Sequence, residues 1–196
     1  MGLTVLILGL VIFLGVHLLV TMRDRRALAI AKLGVGYRIG FALAALIGLG
    51  LIVWGFALYR QAGYIELWSP PRFTRHIAVG LMLFSVILIL AAYLPGHIKT
   101  WTKHPMLAAI KIWALAHLIS NGDVGSIILF GSFLAWAVYA RIAVKRRERL
   151  GDMTRTGLPN RGWANDALAM GLGIVIFLSL GYIFHPAVIG VPVFGA

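Results

Sequence analysis

The sequence predicts an all-α protein, an integral membrane bundle of six transmembrane helices that form one domain over residues 1–196. Three observations predict this fold class. First, 61% of the residues are hydrophobic and only 12% are charged, with a mean hydropathy of +0.93, whereas about a quarter of the residues of a soluble domain are charged. Second, five runs without a charged residue approach the length of about 20 residues that spans a bilayer. Third, the basic residues behind the net charge of +12 lie between these runs.

The charge distribution indicates whether a sixth, shorter segment also crosses the membrane. Residues 105–120 are apolar but include Lys111 and His117. If this segment crosses, 14 of the 18 basic residues fall in the gaps on one side of the membrane, and if it does not, the bias disappears. The positive-inside rule therefore predicts six spans with both termini outside the cytoplasm. The basic gaps are residues 21–38, 99–104 and 141–166, and the predicted spans are 2–21, 39–59, 77–96, 105–120, 124–144 and 167–185.

Local chemistry predicts how several spans begin and pack. In the Asn121-Gly122-Asp123 turn before the fifth span, Gly122 is predicted to adopt a positive φ and Asp123 to cap the next helix. Asp166 is similarly placed to cap the sixth span. Small residues allow helices to approach closely. The pairs predicted to do so are Gly36 with Gly40, Gly122 with Ser126, and Gly171 with Gly173.

The composition excludes several classes of function. The chain has no cysteine, which excludes disulfides, a thiolate nucleophile, cysteine-ligated metals and covalent c-type haem. It contains no Gly-rich phosphate loop, HExxH or GxSxG motif, so hydrolase and ATPase functions lack support. The basic cluster of residues 145–149 has no interleaved aromatic residues. We therefore expect it to contact the lipid bilayer and not nucleic acid.

Two histidines lie well inside predicted spans, where an ionisable side chain costs several kcal/mol unless another group satisfies it. They are His17 in the first span and His117 in the fourth. A neutral imidazole in such a position can bind haem iron, relay protons or form a hydrogen bond to a neighbouring helix. The residues alone leave these uses open.

The depths of the histidines restrict which of them can share a ligand. At 1.5 Å per residue, His17 lies roughly 9 Å to the cytoplasmic side of the middle of its span, and His117 about 6 Å to the outer side. His76 and His185 are expected at the outer level with His117, and His104 at the inner level with His17. Depth therefore makes His76 an alternative partner of His117.

An ordered set of motifs runs along the chain. It comprises Gly15-Val16-His17, Trp68-Ser69-Pro70-Pro71, Arg75-His76, Ala92-Tyr93-Leu94-Pro95-Gly96 with Lys99, His104-Pro105-Met106-Leu107, residues 111–119, Asn121-Gly122-Asp123, residues 129–137 and Arg141-Ile142. This set resembles the NnrU family over nearly the whole chain. NnrU proteins are associated with bacterial denitrification and nitric oxide metabolism. The resemblance therefore implies a multi-pass protein of the bacterial inner membrane, and the charge distribution then predicts both termini in the periplasm.

The resemblance also implies a cofactor. The zeta-carotene isomerase of plants and cyanobacteria is similar to the NnrU family and is a haem b enzyme that isomerises a cis double bond. Its proposed axial histidines match His17 and His117, which are then the implied metal ligands. His76 and His104 match further positions of the family pattern. A haem also carries propionates that need basic partners at a membrane face, and the available residues are Arg38, Lys99, Lys103 and Arg75.

A more distant similarity connects the chain to the scaffold of isoprenylcysteine-type membrane methyltransferases. Their Arg-His-Pro-x-Tyr motif contacts S-adenosylmethionine, and here Lys103-His104-Pro105-Met106-Leu107 lacks the tyrosine. Residues 145–148 lack the paired glutamates of that group, although Thr156-Gly157-Leu158-Pro159 is similar to its later motif. The similarity implies a shared helical scaffold more strongly than methyl transfer.

Three functions are therefore predicted. The first is a b-type haem protein of denitrification, with nitric oxide as its candidate ligand. The second is a haem-dependent cis-trans isomerase of a hydrophobic polyene. The third is a methyltransferase-like or structural membrane module without haem.

Overall fold

The computed structural model describes residues 1–151 and 160–194, and this part of the chain is helical, with one isolated β-bridge between Glu66 and Asp123. Eight α-helices and a final π-helical segment occur in it. They are α1 (Gly2–Thr21), α2 (Arg23–Leu33), α3 (Val35–Gln61), α4 (Arg72–Tyr93), α5 (His97–Thr102), α6 (Pro105–Ser120), α7 (Val124–Arg149), α8 (Trp163–Ser179) and the π-helix Leu180–Ile189.

Five helices in the described chain are long and apolar enough to cross a membrane. They are α1, α3, α4, α7, and α8 together with the π-helix that continues it. The chain therefore has the helices of a multi-pass membrane protein. The predicted fourth span coincides with α6, which has 16 residues and is shorter than the other five. The count of six spans remains a prediction.

Most helices extend beyond the spans that hydropathy predicts. The third helix begins at Val35 instead of residue 39, and α7 continues to Arg149 instead of residue 144. An apolar run measures the hydrocarbon thickness, whereas a helix can continue among the lipid headgroups with its charged side chains in water. By contrast, α4 ends at Tyr93, before the predicted residue 96, because a proline at position 95 disfavours helix in the residue before it.

Two short helices occupy gaps that the sequence analysis treated as connections. The helix α2 carries five charged residues, four at positions 23–26 and one at position 32, and none of its residues is buried. The helix α5 has only six residues. Neither contains an apolar run that would mark it as a span, so hydropathy alone does not predict them.

The helices group into two compact units. The first comprises residues 1–69 and 122–150, and it contains α1, α2, α3 and α7. The second comprises residues 70–121 and the described part of residues 151–196, and it contains α4, α5, α6, α8 and the π-helix. The single domain over residues 1–196 stays a prediction.

In the first unit, four glycines allow α1 and α3 to pack backbone against backbone. A methyl group added at any of them would lie within 3 Å of the backbone of the facing helix. The glycines are spaced by seven residues on each helix, which is close to two turns. Residues later in α1 contact residues earlier in α3, so the two helices are antiparallel. The contacting pairs are Gly2 with Tyr59, Leu6 with Gly55, Gly9 with Ile52, and Phe13 with Gly48.

The small residues that the sequence analysis selected have a smaller role than predicted. An added Cβ at Gly40 or Gly171 would meet no atom of the described chain within 4 Å, and at Gly36 it would meet only Leu33 Cβ, at 4.0 Å. The predicted close contacts at these three glycines are therefore wrong among the residues that the structure describes. Gly173 does pack against a neighbouring helix, since an added Cβ would lie 2.7 Å from Ile87 on α4.

A tight turn precedes α7 in the first unit. The carbonyl of Gly122 accepts hydrogen bonds from the backbone N–H groups of Leu67 and Trp68, at 2.8 and 3.2 Å. Gly122 does not adopt the predicted positive φ. It is required because an added Cβ would lie 2.7 Å from the carbonyl carbon of Trp68. The predicted cap is confirmed, since the Asp123 carboxylate accepts a hydrogen bond from the N–H of Ser126 at 2.9 Å.

In the second unit, α4 packs against both α6 and α8. Small side chains form the buried face of α6, namely Ala109, Ala114 and Ala116, all with no exposed surface. The buried hydroxyl of Ser85 on α4 donates a hydrogen bond to the carbonyl of Ala109 at 2.9 Å. An unpaired hydroxyl inside an apolar bundle is costly, so this bond fixes the register of α4 on α6.

Candidate functional site

The predicted ligand His17 lies on α1 in the first unit, half-buried among aromatic rings. Its Nδ1 donates a hydrogen bond to the carbonyl of Phe13 at 2.7 Å, and its ring stacks on that of Phe13 with centroids 4.2 Å apart. Phe41 and Trp136 contact the ring at 5.2 and 5.8 Å. Because a carbonyl can only accept, the proton lies on Nδ1 and the lone pair of the neutral ring lies on Nε2.

The predicted ligand His117 has the same local geometry on α6 in the second unit. Its Nδ1 donates to the carbonyl of Trp113, four residues earlier, at 2.8 Å, and the two rings lie 5.4 Å apart. The side chain is half-buried. Histidines that bind a metal usually donate their other N–H to a carbonyl or carboxylate, which fixes the ring and the tautomer. His117 therefore presents Nε2 in the form that binds a metal.

A third histidine, His185, lies beside His117 in the second unit. The two ring centroids are 6.5 Å apart and the ring planes differ by 30°. Nδ1 of His185 donates to the carbonyl of Val191 at 3.3 Å. The sequence analysis placed His185 at the depth of His117 but did not include it among the ligands. The signal that could have identified it is its position directly before Pro186, at the end of a predicted span.

The other predicted site residues are distributed over both units. Arg38 lies in the first unit with His17, and it is exposed. The remaining residues lie in the second unit with His117, where His76, Arg75 and Lys103 are exposed, and His104 is the half-buried residue before α6. The ammonium of Lys99 donates to the carbonyl of Ala92 at 2.8 Å.

The donor set suits a metal that brings most of its own ligands. Within residues 1–151 and 160–194, no three histidine, cysteine or acidic side chains are grouped to hold a bare metal ion. A haem needs only one or two axial ligands from the protein, and imidazole is a common one. The anchored imidazoles of His17, His117 and His185 meet that requirement, so these residues fit the group that the resemblance implies.

The comparison with known families identifies the chain. The family model of the NnrU protein matches residues 5–193. The chain belongs to the NnrU family. The match covers both units and all six histidines.

No curated protein and no solved structure gives a significant match to this NnrU protein. The expected likeness to the isoprenylcysteine methyltransferase scaffold therefore stays a prediction. The part of that likeness carried by residues 156–159 lies outside the described residues.

A second polar centre of the NnrU protein joins α8 to α5. The Asp166 carboxylate, with only 2% of the residue exposed, accepts hydrogen bonds from the backbone N–H groups of His97 and Ile98 at 2.9 and 3.1 Å. It also accepts one from Nδ1 of His97 at 2.9 Å. The indole of Trp163 packs on the His97 ring, with centroids 4.2 Å apart.

This centre corrects the prediction that Asp166 caps its own helix. The eighth helix begins at Trp163, four residues earlier than that cap requires, so Asp166 lies inside the first turn. Its carboxylate instead satisfies the free N–H groups at the start of α5, as a capping residue does. Asn165 supports the same junction by donating to the carbonyl of Pro95 at 2.8 Å. The sequence alone does not predict this junction between α5 and α8, because the residues that form it are about 70 positions apart.

The first unit of the NnrU protein also carries an apolar groove of about 430 Å³ on α1 and α7. Its lining is almost entirely aliphatic and aromatic, and Trp136, which contacts the His17 ring, forms part of it. Two of the lining residues, Ser132 and Tyr139, carry a hydroxyl group.

Proposed function

We propose that this NnrU protein is a b-type haem protein of the bacterial inner membrane, and that His117 is an axial ligand of the iron. The observation that carries the proposal is the hydrogen bond from Nδ1 of His117 to the carbonyl of Trp113. It fixes the ring in the tautomer that binds a metal through Nε2, inside a predicted span where an ionisable side chain is costly unless another group satisfies it.

The proposed topology has six spans, with α6 crossing the membrane and both termini in the periplasm. It is supported by the basic residues, most of which then lie on the cytoplasmic side. A helix of 16 residues is about 24 Å long. That length is slightly less than the hydrocarbon thickness of about 30 Å, and local thinning of the bilayer accommodates such a difference.

The proposed role is in denitrification and nitric oxide metabolism, with which the NnrU family is associated. A b-type haem, when bound, supplies an iron that takes up electrons and binds small gases. The protein's own residues hold and orient it. His17 and His76 are the sequence-based candidates for a second ligand, and the basic side chains of Arg38, Arg75, Lys99 and Lys103 are the proposed partners of the propionates.

The test is an absorption spectrum of the detergent-purified protein, oxidised and dithionite-reduced, with a pyridine haemochrome assay. We expect near-stoichiometric b-type haem in the wild type and at least tenfold weaker haem retention in His117→Ala. Loss of a residue that only supports a metal ligand already lowers metal affinity 10–100-fold. Gel-filtration elution and helical circular dichroism control for folding. A wild type that stays colourless after haem supply contradicts the haem function, and a fully loaded His117→Ala contradicts the ligand assignment.

A second candidate function is the haem-dependent cis-trans isomerisation of a hydrophobic polyene. The apolar groove on α1 and α7 favours it, because a polyene is a long apolar molecule and the groove is lined by apolar side chains. The third predicted function, a methyltransferase-like or structural module, has no comparable support in the site.

Expression in cells that make polyenes tests the isomerase. We expect the ratio of cis to all-trans isomers to fall if the enzyme is present, and Ser132→Trp, which fills the groove, to restore the original ratio. Unchanged isomer ratios with a haem-loaded protein contradict the isomerase and leave the haem protein of nitric oxide metabolism.

A further inference from the structure

We infer that His117 and His185 together form a two-histidine site in the second unit, and that His185 is the second axial ligand of the iron. The inference rests on the proposed haem function and makes it specific, because neither sequence-based candidate for the second ligand, His17 or His76, is the residue beside His117. Three features of the pair support it.

The first feature is the spacing of the rings. Their centroids are 6.5 Å apart. An imidazole nitrogen binds a metal at about 2.0–2.1 Å, and adding the distance from each nitrogen to its ring centre places the centroids of two opposed ligands about 6 Å apart. The centroid separation of His117 and His185 is thus close to that of two imidazoles that bind one metal ion from opposite sides.

The second feature is the protonation pattern of the two rings. Both use Nδ1 to donate to a backbone carbonyl, His117 to Trp113 at 2.8 Å and His185 to Val191 at 3.3 Å. In a neutral imidazole, Nε2 then carries a lone pair and no proton. Both rings are therefore in the tautomer that binds a metal through Nε2.

The third feature is the unusual backbone around His185. Residues Leu180–Ile189 form a π-helix, with Pro186 inside it. Proline has no N–H and cannot continue α-helical hydrogen bonding, and π-helical stretches in α-helices occur frequently at functional sites. The wider turn changes the direction in which His185 projects. The residues beside it in sequence, Ile183 and Phe184, are apolar and exposed, which suits the rim of an apolar macrocycle.

The other candidates have different surroundings. His76 is exposed near the start of α4, as its fifth residue. His17 lies among the rings of Phe13, Phe41 and Trp136 in the first unit, contacts that give its imidazole a packing role. We therefore expect a substitution at His17 to affect stability without changing the coordination of the iron.

The test compares three variants of the full chain in detergent with the wild type, by electron paramagnetic resonance and by the reduced absorption spectrum. We expect a low-spin bis-imidazole signal in the wild type and in His17→Ala. His185→Ala should become high-spin and release haem to an apoprotein acceptor at least tenfold faster. His185→Met keeps the size of the side chain, and it should give a histidine–methionine signal with a raised reduction potential.

The outcomes separate the two proposals. If His185→Ala and His185→Met keep the wild-type signal while His17→Ala becomes high-spin, the haem function stands and the role of His185 is overturned. If His185→Ala does not fold, the signal of His185→Met decides. If the wild type binds no haem, both proposals are overturned together.

Discussion

The sharpest prediction concerns Gly48, which lies at the glycine contact between α1 and α3. A Cβ added to it would lie 2.7 Å from the backbone nitrogen of Phe13 and 2.9 Å from its Cβ. Gly50, two residues further along the same helix, is exposed, and its added Cβ would meet no atom of the described chain within 4 Å. Gly48→Ala and Gly50→Ala thus add the same methyl group to the same helix, with and without a neighbour.

The expected change in the free energy of unfolding follows from these distances. Carbon atoms pack favourably at about 3.5–4.0 Å, so a methyl at 2.7–2.9 Å forces the helices apart by roughly 0.7 Å or more. Such overpacking costs about 1–3 kcal/mol. The higher helix propensity of alanine offsets about 1 kcal/mol of this. We therefore expect Gly48→Ala to lower the free energy of unfolding by up to about 2 kcal/mol, and Gly50→Ala to raise it by up to about 1 kcal/mol.

The assay is unfolding of the detergent-solubilised protein by titration with a denaturing detergent, followed by helical circular dichroism. We expect the midpoints of the two variants to move in opposite directions from the wild type. Equal midpoints would show that the two positions have the same surroundings, and the glycine register of α1 on α3 would then be refuted.

Three further substitutions test the other contacts. Asp166→Asn keeps the size of the side chain but removes its charge, and we expect a loss of about 1–3 kcal/mol in thermal unfolding; an unchanged midpoint would contradict its capping of α5. Gly122→Ala should lower the midpoint by several degrees and expose nearby amides to hydrogen exchange, because its methyl meets the Trp68 carbonyl. Tyr59→Phe removes the hydroxyl that accepts from the Ile65 N–H at 2.9 Å, which should cost about 1 kcal/mol and speed exchange at that amide.

The spans could be predicted because a bilayer imposes one strong requirement, a long apolar helix. That requirement placed α1 at residues 2–21 and α6 at residues 105–120, as the structure has them. It does not apply to α2 or α5, which have no long apolar run. It also locates helix ends poorly, because the end of α4 depends on Pro95 and not on hydropathy.

The glycine contacts were not predicted, because the small-residue pairs selected from the sequence are two or four positions apart. The glycines of α1 and α3 are seven apart, and each packs against a large residue of the other helix, such as Tyr59 or Phe13. Which of many glycines faces a neighbour depends on the rotation of each helix. That rotation is set by tertiary packing and not by local sequence.

The candidate site was predictable in part. His17 and His117 were identified because a histidine inside an apolar span is costly whatever the packing. His185 was passed over because it lies near the end of a span, where polar residues are ordinary. The contact between His97 and Asp166 joins residues 69 positions apart, and no periodicity in one sequence indicates such a pairing.

The interleaving of the two units has a consequence for the order in which the protein is assembled. The chain is synthesised from its N-terminus, and α7, which completes the first unit, follows more than fifty residues that belong to the second. During that interval α1 and α3 have only each other and α2. In lipid, apolar side chains gain no free energy by leaving the lipid tails for another helix. Close backbone contact is therefore the main attraction between two helices. The four glycines therefore provide the close backbone contact that keeps α1 and α3 paired until α7 has been synthesised.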